Sequence, residues 1–286
     1  MQTLLLIDAN SLIHRCFHAL PPFTGPNKQP TGSLYGLASI LIKILREQRP
    51  EFIAGFFDRP EPTFRKEMFE EYKIQRPKAP DELVSQIIEA HQLFEAFKIK
   101  TFEAPGLEAD DLIGTAVENF KKIPDLKIVI LTGDLDSLQL VENDKVVAET
   151  FKKGISDTIT YNEEGVKQRY QGLTPNQISD FKGLVGDPSD NIPGAPGIGP
   201  RTAIPLIKEY KNLENYLENG QLDKNYLKIT KFKEQVLLSK NLAQLKCDAP
   251  LDVRDLSELR YESLPKGNLI SYFEKLGFKS LISRIQ

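Results

Sequence analysis

The sequence predicts an α/β fold, a mainly parallel central sheet flanked by helices, followed by a helical C-terminal region. Apolar runs from Thr3 to Asp8 (TLLLID), Phe52 to Asp58 (FIAGFFD) and Lys127 to Asp134 (KIVILTGD) lack polar alternation, and each ends in a carboxylate. Such runs fit strands buried on both faces, as in a parallel sheet. Helical periodicities lie between them. Leu34, Leu37, Leu41, Ile44 and Leu45 share one face of one segment, and Leu83, Ile87, Phe94 and Phe97 one face of another. After about Tyr161 the strand–helix alternation of a parallel sheet gives way to mostly helical patterns.

In order along the chain, the first strand begins almost at the N-terminus. Its apolar stretch is too short for a signal peptide and has no basic start. The segment VVAETFKKGISDTIT reads as a hairpin around Lys153 and Gly154. Thr174, Pro175 and Gln177 stand where an N-cap, a first helical residue and a capping-box partner belong. The last segment, NLISYFEKLGFKSLISRI, is helical with a break at Gly277. The expected division is residues 1–163 for the α/β core and 164–286 for the helical region, packed as one body because no Ser/Gly linker separates them.

Hydrophobic residues at 40% and charged residues at 27% describe an ordinary globular chain, and no apolar run approaches bilayer length. Cys16 and Cys247 lie far apart, which suggests a reducing compartment and no disulfide framework. The net charge of -3 argues weakly against nucleic acid, unless many carboxylates are sequestered around metal ions.

Ligands of an open parallel sheet bind where the strand C-termini gather. Asp8, Asp58 and Asp134 each close a strand and therefore converge there, and Asp136 follows two residues after Asp134. The stretch GLEADDLIGTAVENF adds Glu108, Asp110 and Asp111 at a helix start, with Glu108 and Asp111 on one face. Singly, each has an ordinary explanation as a turn residue or a helix-dipole partner. Together and unpaired, they would raise one another's pKa values and destabilise the fold. Hard divalent cations relieve that. Mg²⁺ takes oxygen ligands and keeps several waters, and two such ions about 3.5–4 Å apart are a common device for phosphodiester hydrolysis. No histidine base or serine nucleophile is needed. His14, His18 and His91 are the only histidines. The first two share a helical spacing without a third ligand, so they read as structural or phosphate-adjacent and no zinc site is expected.

The stretch GLVGDPSDNIPGAPGIGPRTA, Gly183 to Ala203, sets Asp187 and Asp190 before a glycine–proline loop. No apolar strand precedes Gly197 and Gly199, which argues against a dinucleotide loop. As a turn between helices, its backbone N–H groups could hold a DNA phosphate; a plain helix–helix connection accounts for the same residues equally well. The segment TFRKEMFEEYKIQRPK reads on its own as an amphipathic surface helix with Glu/Lys pairs.

Six ordered blocks resemble the 5′ nuclease superfamily: LLLIDANSLIHRCFHAL, PTGSLYG, FFDRPEPTFRKEMFEEYKIQRP, EADDLIGTAV, TGDLDSLQLV and GDPSDNIPGAPGIGPRTA. Within it the match is to the bacterial 5′–3′ exonucleases (flap endonucleases) and the N-terminal nuclease domain of DNA polymerase I. The resemblance covers nearly the whole chain. It implies a PIN-like nuclease core, an arch at about 62–80 and a helix–three-turn–helix duplex-binding element at about 174–210. It implies a structure-selective nuclease acting on 5′ flaps and 5′ ends of duplex DNA, nicked or gapped, including RNA primers, during replication and repair. Two Mg²⁺ ions are implied, with Mn²⁺ as a substitute, and a K⁺ ion at the helix–three-turn–helix loop is a candidate.

Carried over residue by residue, the acidic positions are Asp8, Asp58, Glu108, Asp110, Asp111, Asp134, Asp136, Asp187 and Asp190. The resemblance associates the first ion mainly with Asp58, Glu108 and Asp110, and the second with Asp134, Asp136, Asp187 and Asp190. Lys73, Arg76 and Arg15 fall on basic positions near the scissile phosphate. Arg65 and Lys78 are expected to hold phosphates of the strand in the arch, Phe69 and Tyr72 to stack on bases, and Gly197, Gly199, Arg201 and Thr202 to hold a duplex phosphate. Lys208, Lys211, Lys224, Lys228, Lys231 and Lys233 are candidates for tracking the duplex, only a minority of them touching it. Leu135 stands where relatives often carry Lys, and Pro205 is expected to kink the helix after the loop or delay its start. A DNA polymerase in cis or in trans, a monomeric state and a cytoplasmic location at the bacterial nucleoid complete the expectation. Two alternatives stand beside it, a non-catalytic flap-binding clamp and a PIN-type ribonuclease. A haloacid-dehalogenase phosphatase would want a second Asp where Asn10 stands.

Overall fold

The three apolar runs form the centre of a six-stranded sheet in the computed structural model, which describes residues 1–286. The strands are β1 (Gln2–Asp8), β2 (Phe52–Phe56), β3 (Lys100–Phe102), β4 (Leu126–Leu131), β5 (Val146–Lys153) and β6 (Asp157–Tyr161). They lie in the order β3-β2-β1-β4-β5-β6, all neighbours parallel except β5 and β6. The β5–β6 hairpin turns at Gly154, which has a φ of 57°. Helices α1 (Ala9–Ala19), α2 (Gly32–Gln48), α3 (Phe64–Met68), α4 (Asp81–Ala96) and α5 (Ala109–Phe120) lie between the first four strands. After the sheet come α6 (Glu163–Arg169), α7 (Ile178–Val185), α8 (Pro200–Tyr210), α9 (Leu213–Asn219), α10 (Tyr226–Thr230), α11 (Lys233–Ala243), α12 (Lys266–Leu276) and α13 (Lys279–Ile285).

Side chains alternate along a strand, so one set of apolar runs serves two cores. Leu5, Ile7, Ile53, Val129 and Leu131 pack against α1, α2 and α4. Leu4, Leu6, Ala54, Phe56, Ile128 and Ile130 pack against α5. Each fully buried Leu or Ile contributes about 1.5–3 kcal/mol, which is why these runs carry no polar alternation.

Local signals set the helical region. Thr174 and Gln177 close a capping box around a 3₁₀ turn that begins at Pro175 and leads into α7. Gly277, with a φ of 75°, separates α12 from α13. Helix α8 begins at Pro200 and continues through Pro205 to Tyr210, so the later start expected from Pro205 does not occur. Pro200 is already shaped for a first helical position. Burial of Ala203, Ile204, Leu206 and Ile207 offsets the one backbone bond that Pro205 cannot make.

A third core, with Leu173, Leu184, Ile198, Ile207, Tyr216 and Val236, holds α7 to α11 together. The chain then returns to the sheet. Leu256 and Leu259 join the layer around α5, and Leu269, Phe273, Leu281 and Ile285 join the layer around α2 and α4. The helical residues 164–286 thus pack in part against the sheet, the apolar faces of α12 and α13 covering the α2–α4 layer. No helix is long and apolar enough to cross a membrane.

Strand β1 has β2 on one side and β4 on the other. The chain thus switches direction across the sheet beside β1, and the crevice at the C-terminal ends of these strands is the place where such sheets bind ligands.

Candidate active site

Asp8 ends β1 and caps α1, its Oδ1 accepting from the Ser11 N–H at 3.1 Å. Its Oδ2 accepts from the Thr132 hydroxyl at 2.8 Å. The Ser11 hydroxyl accepts from the Gly133 N–H at 2.9 Å, and the Thr132 hydroxyl from the Asp134 N–H at 2.9 Å. These bonds tie the end of β1 to the end of β4 and fix Asp8 beside Asp134. Asp58 lies two residues beyond β2; its N–H donates to the Asn10 Oδ1 at 3.1 Å, and its carboxylate accepts from the Ala109 N–H at 2.7 Å. That second bond docks the start of α5, and with it Glu108 and Asp110, against the strand ends. Asp110 accepts from the Ser137 hydroxyl at 2.8 Å.

These side chains line a cavity of about 540 Å³ that holds Asp8, Asp58, Glu108, Asp110 and Asp134 together with Lys73 and Arg76. Burial pushes the Asp8 carboxyl up to about 6, with the charge of Asp58 adding to it. Burial, then Asp8, Asp134 and Asp136, hold Asp110 well above the usual carboxylate range. Four acids thus feel one another at Asp110, which is the electrostatic mark of a site short of positive charge.

Asp136, Asp187 and Asp190 do not line the cavity itself but stand beside it, Asp136 within the field of Asp134 and Asp190, and Asp190 against Arg76. Gly186 and Gly194, with φ of 79° and 61°, pack their backbones so closely that a Cβ on either would strike the other strand of the loop. The Asp187 N–H donates to the Ile192 carbonyl at 2.9 Å and the Ile192 N–H to Asp187 at 2.8 Å. The closed loop carries both aspartates on one short turn. Asp190 accepts from Tyr72 at 3.1 Å and from Arg76, while Lys73 pairs with Glu108 at 2.7 Å.

Sequence reasoning missed Lys182. It is 8% exposed, and its ammonium donates to Asp136 and, at 2.7 Å, to Asp187. Burial pushes Asp136 up to about 6, against the lowering effect of Lys182, with Asp134 adding to the rise. Burial also acts on Asp187, but there Lys182 and Ser189 prevail and hold the carboxyl below its ordinary value. No local pattern singles it out, since Ser179 and Asp180 are buried on the same short helix. Replacing Lys182 by Met is expected to lower metal-free stability by about 2–3 kcal/mol, since it strips a partly buried pair of carboxylates of their partner. The gain in melting temperature on adding Mg²⁺ should grow in the same variant. Melts with and without Mg²⁺ check this, and an unchanged increment would rule it out.

Several expectations are corrected. Asp111 is fully buried and faces away from the cavity. Its two oxygens accept from both Arg65 Nη atoms at 2.7 and 2.8 Å, from the Lys246 N–H at 2.9 Å and from the Glu108 N–H at 3.1 Å, which leaves nothing for a metal ion. Arg65 is 1% exposed and also donates to the Leu242 and Gln244 carbonyls, each at 2.9 Å. It is a strut between the base of the arch, α5 and the end of α11, and does not reach a DNA phosphate. Tyr72 is buried, its hydroxyl on Asp190, and Phe69 packs beside it against Ile192 and Leu242. The Tyr72 ring is therefore not free to stack on a base, while Phe69 is half-buried.

Arg15 lines the cavity, but its Nε and Nη2 donate to the Gly154 and Phe151 carbonyls at 2.7 and 3.2 Å. It braces the β5–β6 hairpin. Leu135 turns inward onto the layer around α5. Lys78 is exposed, as is Arg201, while Thr202 is half-buried. Gly197 has a φ of 71°, and its carbonyl accepts from Lys228 at 2.9 Å; Gly199 caps α8 with no side chain in its way.

The donor set fits hard divalent cations. Its acids Asp8, Asp58, Glu108, Asp110 and Asp134 offer carboxylate oxygens, while His14 and His18 line the stretch of the same cavity along α1 and no cysteine reaches it. No three His, Cys, Asp or Glu side chains stand close enough as they are to hold an ion.

The family model for the 5′–3′ exonuclease N-terminal resolvase-like domain matches residues 3–171, and that for the 5′–3′ exonuclease C-terminal SAM fold matches residues 173–266. The chain is 41% identical over 285 residues to DNA polymerase I of Bacillus subtilis (strain 168), covering 99% of this chain and 32% of that protein. It therefore spans about a third of the length of such relatives. It is 33% identical to a 5′–3′ exonuclease of Aquifex aeolicus (strain VF5), covering 100% of this chain and 96% of that one. Among solved structures, a flap endonuclease of bacteriophage T5, in a pseudo-enzyme-product complex with DNA and metal ions, has a TM-score of 0.69 at 21% identity, over 99% of each chain. The catalytic core of Rad2 with DNA substrate has 0.63 at 17% identity, over 100% of this chain and 93% of that one. At these identities the structural likeness shows the fold alone.

Proposed function

Since the chain belongs to the 5′–3′ exonuclease family, we propose that it is a divalent-metal-dependent, structure-specific 5′ nuclease. It hydrolyses phosphodiesters at 5′ flaps and 5′ ends of duplex DNA, RNA primers included. The observation that carries this reading is the ring of carboxylates around one cavity at the switch point of the sheet, with Lys73 and Arg76 on its rim. The clamp and ribonuclease alternatives account less well for five carboxylates in one cavity beside a helical region that adds Asp187 and Asp190 next to it.

Asp8, Asp58, Glu108, Asp110, Asp134, Asp136, Asp187 and Asp190 would hold two Mg²⁺ ions, or Mn²⁺ in their place. Ions so held lower the pKa of an attacking water and stabilise charge on the leaving oxygen. The protein's own part is placement. Lys73 and Arg76, now paired with Glu108 and Asp190, present cations at the rim where a phosphodiester enters, and preorganised charge there favours the transition state. The loop at Gly197–Thr202 and the start of α8 would hold a duplex phosphate without reading sequence, with K⁺ a candidate at the same loop. A polymerase in cis or in trans, a monomeric state and action at the bacterial nucleoid belong to the same proposal.

The test is cleavage of a 5′-labelled flap in Mg²⁺ and in chelator. Wild type should cut only with the metal. Asp136→Ala should lose a factor of about 10² or more yet still bind the flap in Ca²⁺. A wild type that binds but never cuts favours the clamp, and cutting of single-stranded RNA without need of a duplex favours the ribonuclease.

A further inference from the structure

The carboxylate cavity has a second wall that metal chemistry leaves unused. From Asn10 the cavity runs along α1 past Ser11 to His14, Arg15, His18 and Ala19, with Arg76 and Gly154 also lining it. Asn10 to His18 is eight residues, about 12 Å of helix axis. That length takes the reacting phosphodiester and a neighbouring phosphate as well. His14 and His18 stand one turn apart, both exposed, and neither ring nitrogen has a hydrogen-bond or ion-pair partner. His14 lies within the field of His18 and Arg76; its position in the cavity, then those two groups, lower its pKa. No acidic side chain of α1 faces this stretch.

An exposed pair of unpartnered imidazoles beside a guanidinium suits an oxyanion. Each ring offers at least one N–H donor, and Arg76 adds a charge-assisted one. The helical region reaches the acids through Asp187 and Asp190, whereas this wall belongs to α1 and the β5–β6 hairpin. On the proposed grip of duplex by the helical region, this wall is left to the strand that departs from it.

We propose that His14 and His18, with Arg76, form a subsite for the phosphate one nucleotide to the 5′ side of the cut. At a nick or recessed end that phosphate is a terminal monoester; in a flap it is the next phosphodiester. The proposal rests on the nuclease reading and adds a specificity element to it.

Two arms of a binding experiment in Ca²⁺ separate the sources. One compares nicked duplexes ending in 5′-phosphate and 5′-hydroxyl. The other compares flaps with a phosphodiester or a neutral methylphosphonate next to the cut. Wild type is expected to prefer the charged form in at least one arm by about tenfold, the worth of one charge-assisted hydrogen bond. The His14→Ala/His18→Ala variant, with melting temperature measured to show that it is folded, should lose that preference. The arm in which the preference appears identifies the phosphate. Indifference of the wild type in both arms, or a double variant that keeps the wild-type preference, overturns the subsite. Cleavage of an unmodified flap by wild type in Mg²⁺ is read in parallel; its absence is the failure of the nuclease reading and leaves the phosphate preference to be judged on binding alone.

Discussion

Asp110→Asn is expected to abolish flap cleavage while making the metal-free protein harder to melt. Asp110 sits among Asp8, Asp134 and Asp136, which with burial hold its carboxyl well above the ordinary value. As one carboxylate of the proposed metal centre, its loss should cost a factor on the order of 10³ in rate. The same substitution removes one charge from a self-repelling cluster and keeps an oxygen for the Ser137 hydroxyl. The sign of the pH dependence follows from the raised values. Asp8 and Asp136 titrate at about 6 in the folded chain against a reference of 3.8. Between those values the folded state holds protons that the unfolded chain has released. Their contribution is therefore fully present below about pH 4 and is lost as pH rises through about 6. For Asp8 alone the loss is on the order of 3 kcal/mol, or about 5–10 °C in melting temperature. Metal-free wild type should melt lower at pH 7.5 than at pH 5, Mg²⁺ should restore it at pH 7.5, and Asp110→Asn should show the shallower pH slope. Retained cleavage would remove Asp110 from the metal centre. Lost cleavage without a gain in metal-free stability would refute the repulsion argument.

Arg65→Ala tests the corrected role of the arch base. The substitution leaves Asp111 fully buried without its counter-charge, a change that typically costs about 3–5 kcal/mol. At roughly 2–4 °C per kcal/mol the melting temperature should fall by about 6–20 °C. Below that transition, flap affinity in Ca²⁺ and its salt dependence should match wild type, because a residue that touches no phosphate releases no counterion. Lys78→Ala provides the contrast. Lys78 is exposed, so its removal should leave stability unchanged and reduce the salt slope if the arch strand passes it. A melting temperature for Arg65→Ala equal to wild type, with a weaker salt slope, would return Arg65 to the phosphate-binding set.

Both predictions turn on two neighbouring aspartates that sequence reasoning could not tell apart. Asp110 and Asp111 open the same helix. The spacing placed Glu108 and Asp111 on one face, and both do meet Arg65, at 3.3 Å from Glu108 and 2.7 Å from Asp111. Asp111 turns wholly to the arch base, Glu108 touches Arg65 and also lines the cavity, and Asp110 turns into the cavity. The arch residues show the same limit. Tyr72 and Arg65 look exposed in a segment rich in Glu and Lys, yet each meets a partner far away in sequence, Asp190 for Tyr72 and Asp111 for Arg65.

The sheet, and the edge where its acids gather, are legible in local pattern. Apolar runs ending in Asp8, Asp58 and Asp134 can be satisfied only by strands buried on both faces, and parallel strands share one C-terminal edge. Strand termini are local features, so local pattern suffices to read them. Tertiary structure alone decided which charged groups face that edge and which pair beneath it. Lys182 bridges Asp136 and Asp187, Arg65 closes over Asp111, and α12 and α13 return to cover the first layer. Each of these depends on a partner distant in sequence, and no periodicity within a segment encodes which distant surface it will meet.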